Sequence, residues 1–165
     1  MKHFYDKVVI VLFFVIMIPL LLVFIVIFFL FLPFLYFIDI PNRKRKKQFL
    51  LEYSLYLKEI EGSVFFCYSN RKNTLTPIQE IVIPNLDKSI NIVFLNGRSL
   101  QTNHNIKFIS HAIQMKSVKG FPFIMKVINS EMKYVSLHDE LYSAINKKSS
   151  FDYFLEKVKF NIESL

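Results

Sequence analysis

The sequence predicts a small mixed α/β domain behind an N-terminal membrane helix. Its order is strand–helix–strand–helix–strand–strand–helix, with an extra helix at each end. Three observations carry this reading. From Val8 to Ile38 no side chain is charged, and only Tyr36 has a hydrogen-bonding group; a bilayer crossing takes about 20 apolar residues. Beyond that run, short apolar stretches bounded by Gly, Pro and Asn alternate with stretches whose apolar residues recur at helical spacing. The chain left over suits one domain with a single core. Residues 1–41 are therefore read as the anchor, 42–62 as a basic collar and amphipathic helix, and 63–165 as the α/β domain.

The charge pattern fixes a direction. The chain has 21 Lys and Arg against 13 Asp and Glu, a net charge of +8. Arg43, Lys44, Arg45, Lys46 and Lys47 are consecutive, whereas from Gln48 onward 14 basic residues meet 11 acidic ones. The basicity is a collar beside the membrane and leaves no basic face for a nucleic acid, which is not an expected partner. Lys and Arg are retained on the cytoplasmic side. The expectation is a single-pass protein of the cell membrane with its C-terminal domain in the cytoplasm. Anionic headgroups are the first expected partner, at about 1 kcal/mol per basic side chain near the surface. A cleaved signal peptide fits poorly, since its apolar core runs only about 7–15 residues.

The apolar run would reach about 46 Å as a helix, against roughly 30 Å of hydrocarbon. Tilt absorbs part of the excess. Alternatively, Pro19 and Pro33 kink or break the helix, and a break near Pro19 would make the segment re-entrant, with both ends cytoplasmic. This faintly resembles the anchor of monotopic phosphoglycosyl transferases; the resemblance covers the anchor only, and their Asp-Glu catalytic pair is not found.

In chain order, Gln48 to Glu61 reads as a helix with Leu50, Tyr53, Leu57 and Ile60 on one stripe and Gly62 as its stop. Ser63 to Ser69 is almost continuously apolar, as in a strand buried on both faces. Asn70 to Asn73 is a polar loop. Thr76-Pro77-Ile78-Gln79 reads as a capping box opening a helix that Pro84 ends. Ser89 to Leu95 is the second strand, Asn96-Gly97 a turn and Arg98 to Asn105 a loop. Ile106 to Lys116 is the next helix, with Ile109, Ala112, Ile113 and Lys116 along one side. Phe123 to Ile128 and Lys133 to Leu137 form a hairpin, Asp139 to Asn146 a helix. Ser150 then caps a last helix with Phe151, Phe154, Leu155 and Val158 on its apolar face.

This order resembles the thioredoxin-like fold from Ser63 to about Asn146. Gly120-Phe121-Pro122-Phe123 adds to the likeness, because in that family a cis-proline precedes the third core strand beside the active site, and Pro122 matches it. The family's Cys-x-x-Cys would fall within Ser69-Asn70-Arg71-Lys72-Asn73-Thr74, which has no cysteine. The lone Cys67 lies earlier, inside the predicted strand, with Asn70 three residues on. Dithiol exchange is excluded; Cys67 is read as a buried inert thiol, with a monothiol enzyme using Cys67 as the alternative. The resemblance places Asn70, Arg71, Lys72 and Asn73 near Pro122, a candidate site for an anionic or phosphate-bearing ligand at a helix N-terminus.

Other chemistry is sparse. His3, His104, His111 and His138 are scattered, so no metal site is expected. With 3 Gly there is no phosphate-cradling motif and no expected cofactor. Ser110, His111 and Asp139 offer the residue types of a hydrolytic triad without a nucleophile elbow. His138-Asp139-Glu140 gathers imidazole and acids where a helix should begin, and such acids are ordinary complements of the helix dipole. The functional expectation is a membrane-anchored, redox-inactive binding or scaffolding module whose partner is another membrane-associated protein. The alternative is an enzyme or accessory acting on lipid-linked or phosphorylated substrates.

Overall fold

The structure, a computed structural model, describes residues 2–146 and 151–165, with side chains at 13, 15–31, 42–146 and 151–165. The chain forms two compact units, Met1–Leu50 and Leu51–Leu165.

The first unit consists of most of helix α1 (Lys2–Glu59), which is 58 residues long. The helix passes through Pro19 and Pro33 without interruption, so the break that a re-entrant segment needs is not there. Each proline removes one backbone bond at a cost of about 3 kcal/mol, and the ladder on either side carries the helix through. The described apolar side chains of 15–31 are exposed, Phe24 at 72% the most. Among the described residues no helix is long and apolar enough to cross a membrane. The five collar side chains, Arg43 to Lys47, are exposed as well.

The second unit is a mixed α/β domain around a five-stranded sheet of order β3-β2-β1-β4-β5. The strands are β1 (Val64–Ser69), β2 (Asn91–Asn96), β3 (Ser99–Gln101), β4 (Phe123–Ile128) and β5 (Glu131–Ser136). β1 pairs parallel with β2 and antiparallel with β4, and the two outer pairs are antiparallel. Central β1 is buried over its last five residues, as its continuous apolar sequence requires.

Strand alternation sends neighbouring side chains to opposite layers. Phe66 and Tyr68 face α2 (Lys72–Pro77) and its continuation, with α4 (His138–Asn146) and α5 (Phe151–Ser164), and pack with Ile78, Val82, Leu141 and Phe154. Phe65 and Cys67 face the end of α1 and α3 (Ile106–Gln114), and pack with Leu57, Ile109, Ala112 and Phe123. Of the expected stripe, Tyr53, Leu57 and Ile60 lie against the domain while Leu50 is exposed, and their helix is the end of α1 and not a separate element starting at Gln48.

Three sequence expectations are corrected. The second helix opens at Lys72, with Arg71 as its N-cap, so Thr76 and Pro77 lie inside it. Its first turn closes upstream because the Arg71 carbonyl accepts from the amides of Thr74 and Leu75, both at 3.0 Å, and from the Thr74 hydroxyl at 3.2 Å. Pro77 supplies no amide to this ladder, and the helix widens to a π-turn over Ile78–Val82 and tightens to a 3₁₀ turn over Ile83–Asn85. The stretch read as loop from Arg98 contains β3, a short polar edge strand with one half-buried residue, Leu100. β5 begins at Glu131, because a two-residue turn with positive φ at Asn129 and Ser130 joins it to β4. Both amides of that turn donate to the Glu61 carboxylate, at 2.7 and 2.8 Å. The proposed cap at Ser150 lies outside the described residues.

Candidate functional site

The loop after β1 is built by its backbone. The Asn70 amide donates to the Leu95 carbonyl at 3.1 Å, and its side-chain amide to Asn96 Oδ1 at 2.8 Å. Asn70 and Arg71 are exposed loop residues, while exposed Lys72 and Asn73 form the first turn of α2. That α-helical segment has six residues and no side-chain cap, so, contrary to expectation, it offers no helix-terminus anion site.

Pairing places Cys67 opposite Phe123 across antiparallel β1 and β4. The chain leaving β1 at Ser69 and the chain entering β4 at Pro122 therefore share one end of the sheet. Pro122 is buried, its peptide with Phe121 is cis, and its carbonyl accepts from the Leu137 amide at 3.0 Å. His138 holds the same segment from α4. Its Nδ1 donates to the Phe121 carbonyl at 2.8 Å, and its ring packs on Tyr142. Gly120, at φ +78°, passes so close to this ring that a Cβ would lie 2.8 Å from His138 Cγ. Only glycine meets both demands. His138 is thus a structural clamp on the Pro122 segment.

Lys116 supplies a cation that its place on a helical stripe did not reveal. It lies just past α3; its ammonium donates to the Gly120 carbonyl at 2.9 Å and rests 4.2 Å from the Phe121 ring centroid and 4.5 Å from that of Phe123. Burial lowers its pKa, the Cys67 thiol opposes this, and Arg71 lowers it further. Cys67 itself is fully buried, and burial pushes its thiol pKa up, with Lys116 only partly offsetting the rise. A thiol held protonated and away from solvent is neither nucleophile nor metal ligand. Next to it on the same face, the Ser69 hydroxyl is buried without a hydrogen-bond partner among the described residues.

A second polar group was missed altogether. His104 Nε2 meets Asn91 Oδ1 at 3.0 Å, its Nδ1 meets the Tyr56 hydroxyl at 3.1 Å, and Asn91 Nδ2 donates to the Val64 carbonyl at 3.2 Å. An amide oxygen only accepts, so Nε2 carries a proton; in the neutral imidazole Nδ1 then accepts from the Tyr56 hydroxyl. These residues lie in three separate stretches, and no spacing in the sequence links them. The hydrolytic combination is not assembled: α3, carrying Ser110 and His111, and α4, carrying Asp139, pack on opposite faces of the sheet. Among the described residues no cluster of His, Cys, Asp or Glu could hold a metal ion.

No known protein family, no curated protein and no solved structure matches this chain.

Proposed function

We propose that this protein is a membrane-anchored, redox-inactive module of thioredoxin-like fold that works by binding another membrane-associated protein on the cytoplasmic side. The observation that carries the reading is the sheet order: parallel β1 and β2, then antiparallel β4 and β5 on the other side of β1. The helices divide as that fold requires, α2 and α4 on one face and α3 on the other. Pro122 opens β4 beside the loop 70–73, where the family keeps its active site; here that place holds Asn70, Arg71, Lys72 and Asn73 and no thiol. Such a surface recognises and does not exchange electrons. The anchor rests on the apolar run Val8 to Ile38, and the orientation on the collar Arg43 to Lys47, which touches anionic headgroups.

The test is a photoreactive residue in place of Asn73 in the full chain, irradiated in native membranes. The expected result is one discrete adduct with a membrane-associated protein, lost when Arg71 and Lys72 are both changed to Ala. No adduct, or one indifferent to that change, removes the loop as the binding surface. Native Cys67 should react with a thiol reagent only after denaturation; rapid labelling of the folded chain would contradict the redox-inactive reading.

A further inference from the structure

Away from that loop, on the β2 side of the sheet, lies a cavity of about 480 Å³. It opens where β3 stops pairing: Gln101 is the last residue to meet β2, opposite Phe94, and Thr102, Asn103 and His104 turn away. Its volume is that of a small-molecule site. Its floor is aromatic, with Tyr68 stacked on Phe94 at 4.8 Å between centroids. Around the floor stand Gln101, Asn103, Thr102 and Lys88, and no carboxylate lines the space.

Two features mark a built site. Tyr68 is only 4% exposed, and its hydroxyl makes no hydrogen bond among the described residues. Ser69 Oγ is the one described buried polar atom both sealed and unbonded, so the Tyr68 hydroxyl is the part of that side chain that meets the cavity. That hydroxyl is open to the cavity and can donate to, and accept from, a ligand placed there. His104, another lining residue, is held through both ring nitrogens, and its amide donates to Thr102 Oγ1 at 3.3 Å. Rigid walls keep the polar groups in place.

We infer that this cavity binds a hydroxylated ring of the sugar class, neutral or singly anionic. Carboxamides donate and accept side by side, as vicinal hydroxyls do. Half-buried Phe94 offers an apolar aromatic surface to the C–H face of such a ring. The absence of a carboxylate among the lining residues disfavours cations, and Lys88 fits one phosphate or carboxylate.

The test is saturation-transfer NMR on the full chain in phosphatidylcholine nanodiscs, with glucose, glucose 6-phosphate and adenosine as probes. Saturation of the sugar ring protons is expected. It should be lost in Gln101→Ala with Asn103→Ala, two exposed positions whose change leaves the unfolding midpoint in place. Tyr68→Phe, which removes only the hydroxyl, should weaken sugar binding about tenfold. Lys88→Ala should weaken glucose 6-phosphate and spare glucose. No sugar signal, a sugar signal unchanged in all these variants, or binding of adenosine alone would each overturn the inference.

Discussion

The two faces of the sheet are held in different ways. Under α2, α4 and α5 the contacts are almost wholly apolar: Phe66, Ile78, Val82, Ile124, Leu141 and Phe154 are buried with no polar atom among their side chains. Under α3 and the end of α1 the apolar residues are as deeply buried, but polar groups are threaded through them. The Tyr134 hydroxyl donates to the Ala112 carbonyl at 2.7 Å, Lys116 to Gly120, and His104 joins Asn91 to Tyr56. One face is set by volume, the other by volume and direction together. The first has polar links too, such as Lys126 Nζ to the Ile162 carbonyl at 2.8 Å, but the second should respond more strongly to changes of a single atom or of pH.

The largest expected effect sharpens that contrast. Phe154→Ala empties part of the apolar face and should cost about 3–5 kcal/mol in urea unfolding, with the pH profile unchanged. Tyr134→Phe on the other face removes one oxygen and no volume. It leaves a carbonyl in the last turn of α3 without its partner, and should cost about 1–3 kcal/mol. A loss equal to that of Phe154→Ala would break the comparison.

A pH effect comes next. Burial raises the Cys67 pKa above its ordinary 9.0, so the unfolded chain loses this proton first. The stability is complete below pH 9.0 and declines as pH rises above it, by at most about 1.4 kcal/mol per pH unit. Lys116, whose pKa is lowered by burial, acts in the opposite sense below 10.5, and Tyr53 and Tyr134, both raised, add to the decline above 10.0. The difference between wild type and Cys67→Ala isolates the thiol: unfolding curves of the two should diverge above pH 9.0, with wild type the loser, and parallel curves would refute the assignment. The smallest effect is Ser69→Ala. Removing an unpartnered buried hydroxyl should leave stability within about 0.5 kcal/mol or raise it; a clear loss would reveal a partner.

The apolar face was largely legible in the sequence, because volume leaves a periodic trace. Phe151, Phe154, Leu155 and Val158 recur at helical spacing, and β1 and β4 are near-continuous apolar runs. The polar side was not. β3 carries one half-buried residue, so it has no alternation to read. The start of α2 was misplaced because Thr76-Pro77 imitates a cap, while the true first turn closes on the backbone carbonyl of Arg71. Of the candidate site, the resemblance in element order and at Pro122 put Asn70, Arg71, Lys72 and Asn73 near Pro122, and the pairing of β1 with β4 brings the two chain segments to one end of the sheet. Lys116, His104 and Tyr68 became visible only once distant stretches were brought together.

The account turns on the domain being tethered at the cytoplasmic face of a membrane. The direct measurement is thiol labelling of Ser143→Cys, an exposed position on α4, in the full chain carrying Cys67→Ala. Intact cells and inverted vesicles are labelled side by side after an alkaline carbonate wash of the membranes. The account predicts that the chain stays with the membrane and that position 143 reacts only in inverted vesicles. Release by carbonate, or labelling from outside intact cells, would contradict it.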